Sequence, residues 1–266
     1  MEILGYITIF LAGISIGLIG AGGSILSVPI LVYLFSINPI VAMGYSLFVV
    51  GTTSLVGVYP KYKSKEVSLK MAALFGIPSM ISVFLSRKYL LPALPETMIE
   101  LGEISISKEV FLMVFFSVLM LFSAYSIIRK SKTSSVSDES ASRIKPIFVS
   151  LLGLLEGAVT GLVGAGGGFI IIPILVLYAK MPIKKAIGTS LLIIGVKSLI
   201  GFLGDMSSAN IDINWSFLFM VTLLSICGMF VGNIISKKVD GSKLKRGFGV
   251  FILVMGIYIL VKELFF

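Results

Sequence analysis

Apolar residues run through this chain in blocks, separated by short segments that hold most of its charge. No acidic or basic side chain occurs from Ile3 to Pro60. A membrane-spanning helix needs about 20 predominantly apolar residues. Six runs fit: Pro39–Tyr59, Leu69–Ser86, Val110–Ile128, Pro182–Gly204, Ile213–Ser236 and Phe248–Val261, the last somewhat short. Two further stretches, Ile3–Ser36 and Ile147–Ala179, are too long for one pass at about 1.5 Å per residue. Each is broken by glycines and then by a proline. The pattern predicts an all-α polytopic membrane protein.

The two broken stretches are copies of each other. Gly17-Leu18-Ile19-Gly20-Ala21-Gly22-Gly23 returns 144 positions later as Gly161-Leu162-Val163-Gly164-Ala165-Gly166-Gly167, and Pro29-Ile30-Leu31-Val32 returns as Pro173-Ile174-Leu175-Val176. At the same offset Ala42, Gly44, Ser46, Leu47, Gly51, Ser54, Leu55 and Gly57 match Ala186, Gly188, Ser190, Leu191, Gly195, Ser198, Leu199 and Gly201. Chance glycine richness would not hold one register so far. The expected organisation is a first transmembrane repeat over 1–130, a serine-rich linker over 131–145 and a second repeat over 146–266.

Composition agrees with the membrane reading. Of 266 residues 57% are hydrophobic and 13% charged, with a mean hydropathy of +1.07; soluble domains carry about 25% charged residues. The net charge of +9 points to topology rather than to nucleic acid, because the basic residues lie in short loops. The segments Lys61–Lys70, Arg129–Lys145, Lys180–Lys185 and Lys237–Arg246 hold 17 Lys and Arg, against four at Arg87, Lys88, Lys108 and Lys262. Such a bias marks the cytoplasmic side. Were each broken stretch to cross once, the count would even out at 10 against 11. Each is therefore expected to form a helical hairpin that returns to its own side: Ile3–Ile19 with Ser24–Phe35, and Ile147–Val163 with Gly168–Tyr178. Each half then holds one re-entrant hairpin and three spans. The halves are inverted, with both termini outside and the linker cytoplasmic in a cell-membrane protein.

Non-helical backbone at membrane depth is tolerated only inside protein or beside a watery cavity. The Gly-Ala-Gly-Gly tips place helix starts there, at Ser24 and Gly168, and such starts attract anions. This makes Gly20, Gly22, Gly23, Ser24, Gly164, Gly166, Gly167 and Gly168 candidate substrate ligands. Gly13, Gly17, Gly161 and Gly195 suit close helix packing. Two charges lie inside apolar runs, where they are costly. Lys197 replaces Thr53 of the first half and Glu156 replaces Ala12. Lys197 either snorkels, serves a structural ion pair or supplies positive charge to an anion. Glu156 is open to pairing with Lys197, to a wet vestibule or to proton coupling. Hydroxyls at Ser24, Ser27, Thr52, Thr53, Thr189, Ser190 and Ser198 stand close in sequence to these features. The tips lack the Lys-Ser/Thr of a nucleotide-binding loop and the third glycine of a dinucleotide loop.

The paired Gly-x-x-Gly-Ala-Gly-Gly segments, with Pro29 and Pro173 after them and Ala-x-Gly-x-Ser-Leu at Ala42–Leu47 and Ala186–Leu191, resemble the sulfite exporter TauE/SafE family of membrane permeases. The resemblance covers essentially the whole chain. It implies a transporter of small sulfur-containing or organic anions such as sulfite, sulfonates or sulfoacetate, often in the export direction.

A secondary transporter of a small anion, with a midplane site between the two tips, is the leading expectation, and an anion channel the alternative. An enzyme is disfavoured, because the chain has no histidine, a single Cys227 that packs as a small residue, and no carboxylate pair in one segment. No cofactor or metal is expected. With no ATP-binding motif the energy comes from gradients, a proton or another coupling ion included. Moving a negative charge outward gains about 2.3 kcal/mol per 100 mV.

Overall fold

The computed structural model describes residues 2–101, 104–128, 146–208, 213–236 and 241–265. The linker at 131–145 lies outside the described residues. The first half runs α1 (Glu2–Ile19), a 3-10 turn (Ala21–Leu26), α2 (Ser27–Tyr33), α3 (Pro39–Lys63) and α4 (Leu69–Leu85). A π-helical turn (Ser86–Leu90) carries α4 into the short α5 (Leu91–Ala93), and α6 spans Lys108–Ile128. The second half holds α7 (Pro146–Val163), α8 (Gly168–Leu177), α9 (Ile183–Ser208), α10 (Trp215–Ser236) and α11 (Gly241–Phe265). Six helices among the described residues are long and apolar enough to cross a membrane. Large apolar side chains such as Leu11, Phe122, Leu223 and Phe230 are exposed on the outer surface, as a lipid solvent allows.

Local chemistry sets the helix starts. Pro39 opens α3 behind Asn38, whose Oδ1 accepts from the Ile40 amide at 2.9 Å. Ser68 and Asn214 cap α4 and α10 in the same way, through Met71 and Phe217. One departure from an all-helical chain is a short antiparallel ribbon, β1 (Thr97–Leu101) with β2 (Ile104–Ser107). The Ile-Ser-Ile-Ser alternation of β2 is a strand pattern, hidden in the sequence between two long apolar runs.

Contacts in one half recur in the other at the offset of the sequence repeat. Gly51 sits against Leu199 and Gly195 against Leu55; Gly57 approaches Leu191 and Gly201 approaches Leu47. As α3 ascends through these positions α9 descends, so the two helices are antiparallel. The capping residues follow suit: the Ser68 amide donates to Thr189 Oγ1 (2.9 Å) and the Asn214 amide to Tyr45 Oη (2.7 Å). These two bonds also place α4 and α9 starting at one end, and α3 and α10 at the other.

Small residues let the remaining helices close on each other. Gly13 and Gly17 of α1 abut the backbone of α10 at Ser225 and Met229, while Gly153 and Gly157 of α7 abut α4 at Phe75 and Ser79. Both pairs run parallel. Because α7 starts with α4, and α9 starts there too, the α7–α8 unit enters and returns at one end. By the same reasoning the α1–α2 unit enters and returns at the other.

Several features differ from the sequence expectation. The first tip does not open an α-helix at Ser24; the chain makes a 3-10 turn from Ala21 and the α-helix begins at Ser27. Helix α4 and its continuation run past Ser86, so Arg87 is buried inside the fold rather than in an external segment. Lys108, expected in an external segment, is also buried, with Nζ 3.4 Å from both the Leu94 carbonyl and Glu96 Oε1. The last helix is full length, at Gly241–Phe265.

Candidate functional site

Glu156 and Lys197 stand near the middles of α7 and α9, inside apolar stretches of those helices. The structure pairs them: Lys197 Nζ donates to Glu156 Oε1. Lys197 is 0% and Glu156 3% exposed, so the lysine does not snorkel. Lys197 Nζ also donates to Thr160 Oγ1 (3.0 Å), whose hydroxyl donates in turn to the Glu156 carbonyl one helical turn back (2.8 Å). Ser79 of α4 donates to the other carboxylate oxygen, Oε2, at 2.7 Å. Three helices thus converge on one carboxylate, and the hydrogen bonds offset the cost of burying both charges.

The second glycine tip rests on this pair. Gly167 has φ +76°, and a Cβ on it would overlap Glu156 Oε1 and lie 2.8 Å from Lys197 Nζ. Only glycine both adopts that backbone and leaves that space. Helix α8 therefore begins, at Gly168, against the ion pair. The first amides of a helix lack intrahelical acceptors and carry the positive end of its dipole. Helix start and ammonium direct positive potential at one position near the middle of α9, and Glu156 balances it.

Ser198, next to Lys197, is fully buried and its hydroxyl finds no protein partner. It lies 3.5 Å from where a Gly166 Cβ would stand. Ser54, its equivalent on α3, is also buried with a hydroxyl that finds no protein partner.

The first half is the neutral counterpart. Thr53 occupies the position equivalent to Lys197 and its hydroxyl donates to Ser225 Oγ (3.2 Å), while Ala12 and Ile16 stand where Glu156 and Thr160 do. Gly23 packs on Ser15 and Ile16, Gly22 lies within the 3-10 turn, and Ser24 is fully buried. The outermost tip glycines reach across the fold: Gly20 lies against Ile187 and Gly164 against Met43, each four residues into the opposing long helix. Along the α3–α9 pair those two glycines are about 30 Å apart at 1.5 Å per residue. Those two glycines therefore lie near opposite ends of the pair. What packs together is the 3-10 turn and α8. Of the other candidate hydroxyls, Thr189 takes the Ser68 amide, Ser190 donates to the Ile187 carbonyl (2.8 Å) and Thr52 is partly buried on α3.

The family model described as sulfite exporter TauE/SafE matches residues 6–259. The chain belongs to this family. A probable membrane transporter protein of Xylella fastidiosa (strain Temecula1) is 27% identical over 255 residues, covering 94% of this chain and 91% of the relative. One from Methanocaldococcus jannaschii is 28% identical over 204 residues, covering 75% and 70%. The probable membrane transporter protein YdhB of Bacillus subtilis is 25% identical over 228 residues, covering 85% and 86%. No solved structure matches the chain. With six helices among the described residues long and apolar enough to cross a membrane, this TauE/SafE member is a multi-pass membrane transporter.

Several residues around the Lys197–Glu156 pair escape sequence reading. Ser54 is signalled only by its register with Ser198, and Thr160 by standing one turn after Glu156. Ser79 and Ser225 carry no signal, being isolated hydroxyls in apolar helices. A second ion pair, Arg87 Nη2 to Asp205 Oδ2 at 3.4 Å, lies buried between the π-helical turn and the end of α9, beside Gly44. Both members sit at the edge of an apolar run, where sequence reads them as loop. A cavity of about 260 Å³ opens where α3 and α10 begin, lined by Tyr6, Phe35, Ile37, Tyr45, Asn214 and Phe217. Its lining includes no residue of the Lys197 cluster.

Proposed function

We propose that this TauE/SafE-family protein is a secondary transporter that exports small sulfur-containing or organic anions, such as sulfite, sulfonates or sulfoacetate, by alternating access. The anion binds at mid-depth where α8 begins. Its ligands are the Gly166–Gly168 backbone, the Lys197 ammonium and the Ser198 hydroxyl. The observation that carries this reading is a fully buried lysine held against a glycine-opened helix start. Two sources of positive potential at one membrane-depth position suit an anion, and discontinuous helices hold the substrate in inverted-repeat transporters.

The halves lie inverted in the cell membrane, with the termini outside and segment 131–145 cytoplasmic, as the distribution of Lys and Arg supports. The aromatic cavity is then the outer vestibule. The outward concentration gradient of the anion drives the cycle.

Thermal-shift screening of the purified protein against sulfite, thiosulfate, sulfonates and carboxylates tests the reading, followed by efflux from proteoliposomes. Stabilisation by an anion, with saturable protein-dependent efflux and counterflow, supports it. Conductance without saturation or counterflow indicates a channel. No stabilisation and no flux with any of these anions rejects it.

A further inference from the structure

Glu156 already occupies the place at Lys197 that a bound anion would take. Its Oε1 accepts from the ammonium beneath Gly167, and Oε2 accepts from Ser79. We infer that Glu156 is an internal counter-anion and the proton-binding group of the cycle: the substrate binds Lys197 only when the Glu156 carboxylate takes up a proton and releases the ammonium. The inference rests on the anion-transport reading above.

Charge balance makes the case. Among the described residues, α9 faces Glu156 with Lys197, α4 with the neutral Ser79, and α8 carries no acidic or basic residue. The charges of α6 are confined to its start, at Lys108 and Glu109. The other buried pair, Arg87 with Asp205, lies eight residues farther along α4 and α9, about 12 Å at 1.5 Å per residue. Carboxylate and ammonium therefore sum to zero locally. An anion entering alone would leave an uncompensated buried negative charge, which is costly. An anion entering with one proton keeps the sum at zero.

The surroundings accept both states. The proton goes to the Glu156 carboxylate, and Lys197 keeps its own. Ser79, a donor to the carboxylate, rotates to accept from the carboxyl, since a hydroxyl does either. Thr160 Oγ1 remains an acceptor for the ammonium. The first half, with Ala12 and Thr53, contributes no second exchangeable charge, so one proton accompanies one anion.

The test uses proteoliposomes with a pH-sensitive dye in the lumen and the potential clamped. The probes are methanesulfonate and ethanesulfonate, monoanions that stay fully ionised near neutral pH and carry no proton themselves. Inward gradients should give protein-dependent uptake with one proton entering per anion. Apparent affinity should fall by up to about tenfold per pH unit on the alkaline side. Glu156→Gln should take up the anion without acidification and with a flat pH profile. Wild-type uptake with no lumenal acidification would overturn the inference and leave the transport reading intact, whereas no uptake of either probe would overturn both. The wild-type lumenal pH record decides even where Glu156→Gln fails to fold.

Discussion

The Lys197 ammonium of α9 is bonded to the Glu156 carboxylate of α7, at the level where α8 begins. Removing one partner strands a buried charge, a loss of about 3–5 kcal/mol in other proteins. Lys197→Met and Glu156→Gln should each lower thermal stability in detergent substantially. Lys197→Met/Glu156→Gln should recover most of the loss, giving a large coupling energy in a double-mutant cycle. Additive losses would mean that the two side chains do not depend on each other.

Gly167 is the glycine whose replacement should matter most. Gly167→Ala places a Cβ on the carboxylate at φ +76°, and left-handed backbone alone costs a non-glycine residue about 1–3 kcal/mol. The variant should insert in the membrane yet lose anion binding and transport. Gly247→Ala on α11, with open space around it, is the control and should behave as wild type. Normal transport by Gly167→Ala would detach the tip from the site.

The glycine–leucine contacts of α3 and α9 predict a crossed pattern of suppression. Gly51→Ala and Gly195→Ala should each destabilise through overpacking, by about 1–3 kcal/mol. Leu199→Ala should relieve the first and Leu55→Ala the second. Relief in the opposite pairing, measured by unfolding in detergent, would contradict the correspondence of the halves.

Most of this architecture is legible in the sequence, for physical reasons. Lipid demands long apolar runs, and a duplicated backbone break demands glycines at matched positions, so Gly20 and Gly164 could be aligned by eye. Lys197 and Glu156 stood out because a charge in an apolar run needs a reason. The site's hydroxyls did not stand out. Ser79 and Ser225 look like any helix serine until a partner from another helix faces them. Arg87 and Asp205 were hidden because charges near the end of a run resemble loop charges, and the π-helical turn that buries Arg87 has no sequence mark. The paired charges of the second half also conceal an asymmetry at the tips, where one copy opens directly into an α-helix and the other through a 3-10 turn.

Orientation follows from labelling. In a Cys227→Ser background, single cysteines at Asn38 and Ser64 mark the two ends of α3. The Asn38 probe should react from outside intact cells and the Ser64 probe only after permeabilisation. Reaction of both from the same side would remove α3 as a span and with it the hairpin arrangement.

The charge-free pair Lys197→Met/Glu156→Gln isolates the proposed role of Lys197 as the anion's charge partner from its role in folding. Anion affinity of this variant, measured by thermal shift beside wild type, is the decisive quantity. Loss of a charge-assisted contact, worth about 1.5–3 kcal/mol, predicts a folded protein with affinity lowered roughly ten- to a hundredfold. Unchanged affinity in a folded variant would show that the anion binds without Lys197.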